Sequence, residues 1–435
     1  MEHIKIGRFK IPFTKGLTIQ EFSWVLCDWA SQSYVMVVMT TIMSLFFMQA
    51  ATNHGVSSED ATAYYALSNT IGTVIIGLMA PIIGTLSSYK GRKKFLFIVY
   101  TFIGMMGTLG LAFVPERFWF IMLVVFIISS IGYAGQSKIY DTFLVDVTDN
   151  KKMNWVSSLG FAFGYIGGAL PFILCIIPVM LAQFEVINIT VMFAYRLSFI
   201  IAVVWWIIFN IPMIKNVHQK YGEEKEKGYV KKSFVKIWTT FKDIATQKHI
   251  LIFLIAFFLY SDGLGSIIRM AIAYGNTIGI SALQLLLVLL VTQFVAFPFA
   301  IIYGKLSQKY GAKFMIYVGI GTYVVVCLVA LFMNPARDVE TLTIMFWALA
   351  MLVGTAQGGV QALSRAYFGR IIPKEKSNEY FGFYNVFSRF ASIIGTSIFA
   401  AITFLTGQPH YGIAGIALLF ISAAIIFKFV PNDKV

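Results

Sequence analysis

Twelve apolar runs dominate this chain, and each is long enough to cross the hydrocarbon layer of a bilayer, which takes about 20 helical residues. They lie near 22 to 50, 61 to 86, 95 to 114, 118 to 138, 156 to 181 and 191 to 211, then 250 to 275, 283 to 303, 314 to 333, 341 to 363, 380 to 405 and 411 to 430. A segment in lipid has no water to bond, so it must satisfy its own backbone N–H and C=O groups, as a helix does. The connectors are short apart from one central stretch. An all-α membrane protein is therefore expected. Composition agrees: 58% of the 435 residues are hydrophobic and only 12% charged, against about 25% charged in a typical soluble domain.

The net charge of +14 raises the question of nucleic acid, and the positions of Lys and Arg answer it. Basic residues cluster in alternate connectors: Lys5, Arg8, Lys10 and Lys15, then Lys90, Arg92, Lys93 and Lys94, then Lys151 and Lys152, the central stretch, Lys305, Lys309 and Lys313, and Arg370, Lys374 and Lys376. The intervening connectors are nearly bare, with Arg117 and Arg337 the isolated exceptions. By the positive-inside rule both termini and the central stretch face the cytoplasm of a plasma membrane, the bacterial inner membrane in expectation. No nucleic acid is expected, since that needs a basic face on a soluble domain. The partners are a lipid bilayer and a small solute, and the chain is expected to act as a monomer.

Other chemistry is sparse. The first twenty residues hold no continuous apolar core, so no cleaved signal peptide is expected. Cys27, Cys175 and Cys327 sit in three separate runs and imply no disulfide. The five histidines have no metal-ligand spacing, and no G-x-x-x-x-G-K-[ST] loop is present. Neither metal nor cofactor is expected, and any energy for work must come from a gradient. The organisation reads as a cytoplasmic tail (1–21), a six-helix half (22–214), an amphipathic cytoplasmic loop (215–249), a second six-helix half (250–430) and a short tail (431–435).

The halves repeat. In "GTLSSYKGRKKF" and "GKLSQKYGAKF", Gly84, Leu86, Ser87, Gly91 and Lys93 match Gly304, Leu306, Ser307, Gly311 and Lys313 at a shift of 220. "IGYAG" at 131 and "VGTAQ" at 353 agree at 222, as do Gly160-Phe161 and Gly382-Phe383. Two parallel six-helix repeats define the major facilitator fold, twelve transmembrane helices in two six-helix halves with the solute site near the midplane.

Four longer segments sharpen this: "WVLCDWASQSY" in helix 1, "SSLGFAFGYIGG" in helix 5, "FFLYSDG" in helix 7 and "GGVQALSRAYFGRIIPKEKSNEYFGFYN" across helices 10 and 11. The chain resembles the bacterial "unknown major facilitator" family and is similar to the fungal vacuolar amino-acid effluxers linked to autophagy. That resemblance implies a secondary transporter. The superfamily's loop motif, G-x-L-A-D-x-x-G-R-K, carries an acid where this chain has Ser88 and, in the second copy, Gln308. In the superfamily the acid helps latch the cytoplasmic side. A substitute is expected among Asp141, Asp146 and Glu379, with Gly84, Gly91, Arg92, Gly304 and Gly311 forming the gate. The family also often has a proline where this chain has Val145.

Helical spacing groups the polar residues within the runs into stripes. Helix 11 has Asn385, Ser388, Arg389, Ser392 and Thr396; helix 7 has Asp262, Ser266 and Arg269; helix 1 has Asp28, Ser31 and Gln32; helix 4 has Ser129, Tyr133, Gln136 and Tyr140. In this fold helices 1, 4, 7 and 10 line the cavity. At about 1.5 Å per residue, Asp28 lies roughly 10 Å into its helix, Asp262 roughly 20 Å and Arg389 roughly 14 Å. Asp262 and Arg389 can meet near the midplane, with Arg269 further out. Charges this deep are costly and usually functional, and a structural brace is the alternative reading of the pair. Arg196 is expected to snorkel, Trp24, Trp29, Trp205 and Trp206 to pack or anchor, and Gly160, Gly164 and Gly168 to mark a close helix contact.

The pathway residues are therefore Asp28, Gln32, Tyr133, Gln136, Asp262, Ser266, Arg269, Asn385 and Arg389. The expectation is alternating access to a small polar solute, an amino acid or other zwitterion, as proton-coupled symport or antiport with Asp262 carrying the proton. A sugar or drug transporter and a non-transporting sensor are the alternatives. An enzyme is not expected, because the G-x-G-D motif of intramembrane aspartyl proteases reads "GLGS" here, with Ser266 in the place of the acid.

Overall fold

Local signals start the helices where the apolar runs begin. Thr18 and Glu21 cap the first span reciprocally: each side chain takes the other's backbone N–H. Ser281 and Gln284 do the same at the start of the eighth, and Ser57, Thr190 and Asp338 cap the second, sixth and tenth from one side. The structure, a computed structural model, describes residues 5–6, 9–10, 14–224, 229–333, 338–390 and 393–432. Arg8, Arg337, parts of both tails and of the central loop, and the Arg389 side chain lie outside the described residues.

Twelve helices among the described residues are long and apolar enough to span a membrane: α1 (Ile19–Asn53), α2 (Ser58–Ser87), α3 (Arg92–Phe113), α4 (Glu116–Val147), α5 (Met153–Gln183), α6 (Val191–Asn216), α7 (Lys248–Thr277), α8 (Gln284–Tyr310), α9 (Ala312–Ala330), α10 (Val339–Ile371), α11 (Lys374–Thr406) and α12 (Pro409–Phe427). All twelve expected spans are present. Several run further than the apolar pattern suggests, α10 by a further eight residues, 364–371. Polar side chains there are packed inside the protein, where a hydropathy pattern does not see them. Within α1, Tyr34–Ile42 winds as π-helix, a rare form in which each turn holds an extra residue. A separate helix, Tyr229–Thr246, lies in the central loop, and a two-residue hairpin pairs Lys5–Ile6 with Phe9–Lys10.

Large apolar side chains are exposed along the spans, with Phe404 at 89% and Leu405 at 81%. Lipid is the solvent that makes such a surface stable. Helix contacts are close where small residues meet: a Cβ on Gly132 of α4 would lie 2.1 Å from the Gly104 backbone of α3. A Cβ on Gly167 of α5 would come 2.4 Å from the Trp29 carbonyl, and Gly164 and Gly168 of the glycine series face Gln32, so these two lie at a close helix contact, whose partner is α1. Arg196 does more than snorkel. Its Nη1 donates to the Ala112 carbonyl at 2.7 Å, satisfying the end of α3.

The chain forms two compact units that exchange segments. One is Met1–Asp149, Phe163–Phe234 and Lys374–Gly382; the other is Asn150–Ala162, Val235–Pro373 and Phe383–Val435. The start of α11 thus packs within the first unit, against α2, where a Cβ on Gly84 would meet the Asn378 carbonyl at 2.7 Å. Correspondingly, the start of α5 packs within the second, against α8, where a Cβ on Gly304 would meet Ser158 Cβ at 2.6 Å.

Candidate functional site

In the first unit, three of the expected pathway residues gather between α1 and α4. Asp28 is 8% exposed and accepts a 2.8 Å hydrogen bond from Tyr140 Oη. Trp24 stacks on the Tyr140 ring, centroids 4.5 Å apart, and donates to its backbone carbonyl at 3.0 Å, so the phenol is fixed from two sides. Gln136 is fully buried and donates to Cys27 Sγ at 3.2 Å, while its Oε1 has no hydrogen-bond partner among the described residues. An orphaned buried acceptor costs about 1–3 kcal/mol unless something satisfies it. Gln32 stands half-buried against Gly164. Tyr133 stacks on Tyr34 at 4.9 Å, and Trp206 packs against both rings.

In the second unit, Asp262 is 0% exposed in the middle of α7. The side chain of Arg389, the arginine expected beside it, lies outside the described residues, and the described partners of its oxygens are these. Oδ2 accepts the Ile394 N–H at 3.0 Å, Oδ1 accepts the Gly395 N–H at 2.6 Å, and Ser266 Oγ donates to Oδ1 at 3.3 Å. The description of α11 resumes at Ile393, so Asp262 reaches from α7 to two backbone amides in the first described turn of Ile393–Thr406, bonds that its charge strengthens. Gly395 permits the approach: a Cβ there would lie 2.3 Å from Ser266 Oγ and 2.8 Å from Asp262 Oδ1. Asn385 is buried at 1% exposure, whereas Arg269 is exposed.

The first loop motif carries a buried ion pair: Lys93 Nζ lies 2.5 Å from Asp146 Oδ2, with both side chains fully buried. The other Asp146 oxygen accepts the backbone N–H groups of Lys220 at 2.8 Å and Tyr221 at 3.0 Å. Of the three candidate acids, Asp146 pairs with the motif's Lys93. Ser88 Oγ donates to the Thr85 carbonyl of its own helix at 2.7 Å. Arg92 is half-buried and lies over Phe95. Gly91 and Gly311 have φ of 72° and 85°, a region that a side chain disfavours, which accounts for both motif glycines.

Arg365 carried no expected role, yet it is 3% exposed and ties α10 to the start of α5. Its Nε donates to Ser157 Oγ at 3.0 Å, its Nη2 to the Ser157 carbonyl at 3.2 Å, and its guanidinium covers Phe161. The sequence signal was an arginine among small residues in "ALSRAYF".

Twelve spans in two duplicated halves, with polar groups held in the middle of α1, α4 and α7, define a multi-pass membrane transporter of the major facilitator fold. The solved proton:xylose symporter XylE, bound to 6-bromo-6-deoxy-D-glucose, superposes with a TM-score of 0.72 over 95% of this chain and 96% of its own, at 12% identity. The chain belongs to the family described as vacuole effluxer Atg22 like, which it matches over residues 20–435. It is 45% identical over 419 residues to the uncharacterized MFS-type transporter YxiO of Bacillus subtilis (strain 168), covering 96% of each chain. Autophagy-related protein 22-2 of Aspergillus clavatus is 26% identical over 286 residues, 61% of this chain and 46% of that protein.

Proposed function

We propose that the protein is a proton-coupled secondary transporter of a small zwitterion, an amino acid in the first instance, working by alternating access with both termini and the central loop in the cytoplasm. The contact of Asp262 with the Ile394 and Gly395 amides carries this reading. A carboxylate that holds two backbone amides of a neighbouring span is a group whose protonation has a structural consequence, because a protonated carboxyl keeps less of its hold on two N–H groups. Proton arrival thereby loosens the outer part of α11 from α7. Gln136, Asp28 and Tyr140 offer an acceptor and a fixed anion for an ammonium group. The relatives' description as effluxers agrees with a transported solute, and the Lys and Arg asymmetry supports the orientation.

Asp262→Asn tests the coupling. Asparagine keeps one acceptor and removes the charge, so the variant, reconstituted in liposomes, is expected to exchange labelled amino acid down its gradient and to lose accumulation driven by an imposed pH gradient. Equal pH-driven accumulation in variant and wild type would rule out Asp262 as the coupling acid. Orientation is read separately: an impermeant thiol reagent applied to intact cells should label a cysteine placed at His54 or Gln408 and spare one at Gly222. Labelling of position 222 would invert the topology.

A further inference from the structure

The central-loop helix, Tyr229–Thr246, is strongly amphipathic and has no part in the transport reading. From Val235 onward it belongs to the second unit. One face is packed inward: Thr240 and Ile244 are buried, Ile237 is half-buried, and the Phe241 ring lies 6.1 Å from that of Phe383 in α11. The adjoining face is open. Val235 is 66% exposed, Trp238 60% and Phe241 46%. Together with the exposed Ala245 they make, at 3.6 residues per turn, an apolar stripe about 120° wide. The rings of Trp238 and Phe241 stack on it with centroids 5.6 Å apart, a large apolar surface to leave in water.

The position of the helix in the chain says which solvent the stripe meets. The helix ends at Thr246 and α7 begins at Lys248, with Gln247 alone between them. Span α7 has 30 residues, about 45 Å at 1.5 Å per residue, which matches the thickness of a bilayer with its headgroups, about 40–45 Å. Lys248 therefore stands at headgroup level, and the loop helix is tied to that level. Its charge suits the same place: residues 229–246 hold Lys231, Lys232, Lys236 and Lys242 against a single acid, Asp243. Lys242 Nζ lies 5.5 Å from the centre of the Trp238 ring. Aromatic rings flanked by lysines are the side chains that a membrane–water boundary favours.

We infer that this helix is an interfacial anchor: Val235, Trp238, Phe241 and Ala245 enter the headgroup layer of the membrane that the protein spans, and the lysines hold anionic phospholipid there. Trp238 is the central residue, its apolar body turned toward the acyl chains and its N–H toward the wet side. Lys242 beside it has a stem long enough to reach a lipid phosphate while the indole stays below. Because one residue joins the helix to α7, anionic lipid held here fixes the depth of the span that carries Asp262.

Site-directed labelling of the full chain tests the anchor without reference to transport, and the native Cys27, Cys175 and Cys327 are buried. A polarity-sensitive fluorophore is attached at Ala245→Cys, on the stripe, or at Thr239→Cys, also exposed and about 120° round the helix. Each protein is reconstituted in vesicles of phosphatidylcholine, with and without phosphatidylglycerol. With phosphatidylglycerol, the label at 245 is expected to emit to the blue and to be quenched by nitroxide-bearing lipid, while the label at 239 is quenched by aqueous iodide. Lys242→Gln should move the 245 label from lipid toward water about fivefold, the worth of one lysine near an anionic surface. Trp238→Ser should abolish its quenching by lipid. Equal iodide quenching at 239 and 245 overturns the anchor, and equal lipid quenching in the two kinds of vesicle overturns the part given to the lysines. A 245 label shielded from iodide and nitroxide lipid alike also overturns it, since protein, a partner or a second copy, would then cover the stripe.

Discussion

The two copies of the gate loop began as one sequence and now hold their shared lysine in opposite ways. Lys93 is buried against Asp146, an ion pair sealed by backbone N–H groups from the central loop. Lys313, its counterpart at a shift of 220, is half-buried and donates to the carbonyls of Lys428 at 3.1 Å and Val430 at 2.5 Å, past the end of α12. At a shift of 222, Asp146 corresponds to Phe368. A lysine on helix-end carbonyls anchors one piece of backbone to another. A lysine on a buried aspartate is a charge that cannot be abandoned, because its loss leaves an anion without compensation. The duplication preserved the cation and changed the cost of removing it.

Lys93→Met and Lys313→Met, compared by thermal unfolding in the same detergent, put a size on that difference. Breaking a buried pair from one side costs about 3–5 kcal/mol, whereas losing a cation at a helix C-terminus costs about 0.3–1 kcal/mol. Lys93→Met is expected to lower the midpoint severalfold more than Lys313→Met. Adding Asp146→Asn to Lys93→Met should return part of the loss, since the stranded charge is gone while an acceptor for Lys220 and Tyr221 remains. Equal losses in the two single variants, or no recovery in the double, would show that the buried pair holds nothing the second copy lacks.

Much of this architecture was legible in the sequence because membrane helices announce themselves by composition, and the duplication could be read from glycines. Gly91 and Gly311 are retained for a backbone angle, and Gly84 and Gly304 for close approach. Each constraint acts on one position and leaves a mark there. The substitute acid was left among three, because the meeting of Asp146 with Lys93, 53 residues away, depends on how α3 and α4 pack. Asp262 stood out as a deep acid, but its contacts with the backbone amides of Ile394 and Gly395 could not be foreseen, because an amide carries no residue-specific signal. Arg365 was passed over for the opposite reason: its partner is Ser157, a residue too common in such helices to suggest a pair.

The motif glycines offer a smaller and sharper test of how the copies differ. A methyl group on Gly84 would press on backbone, the Asn378 carbonyl at 2.7 Å and the Gly382 Cα at 3.1 Å, and backbone can yield only by moving a helix. A methyl group on Gly304 would meet the Ser158 side chain, Cβ at 2.6 Å and Oγ at 2.9 Å. Ser158 Oγ has no hydrogen-bond partner among the described residues, so trimming that side chain removes no bond. Overpacking of this kind costs about 1–3 kcal/mol. Both Gly84→Ala and Gly304→Ala should therefore lower the unfolding midpoint, and Ser158→Gly should restore Gly304→Ala. No single trimming can restore Gly84→Ala, because what opposes it is main chain. If Ser158→Gly leaves Gly304→Ala unchanged, the crowding in the second copy also lies in the backbone, and at this contact the two halves are alike after all.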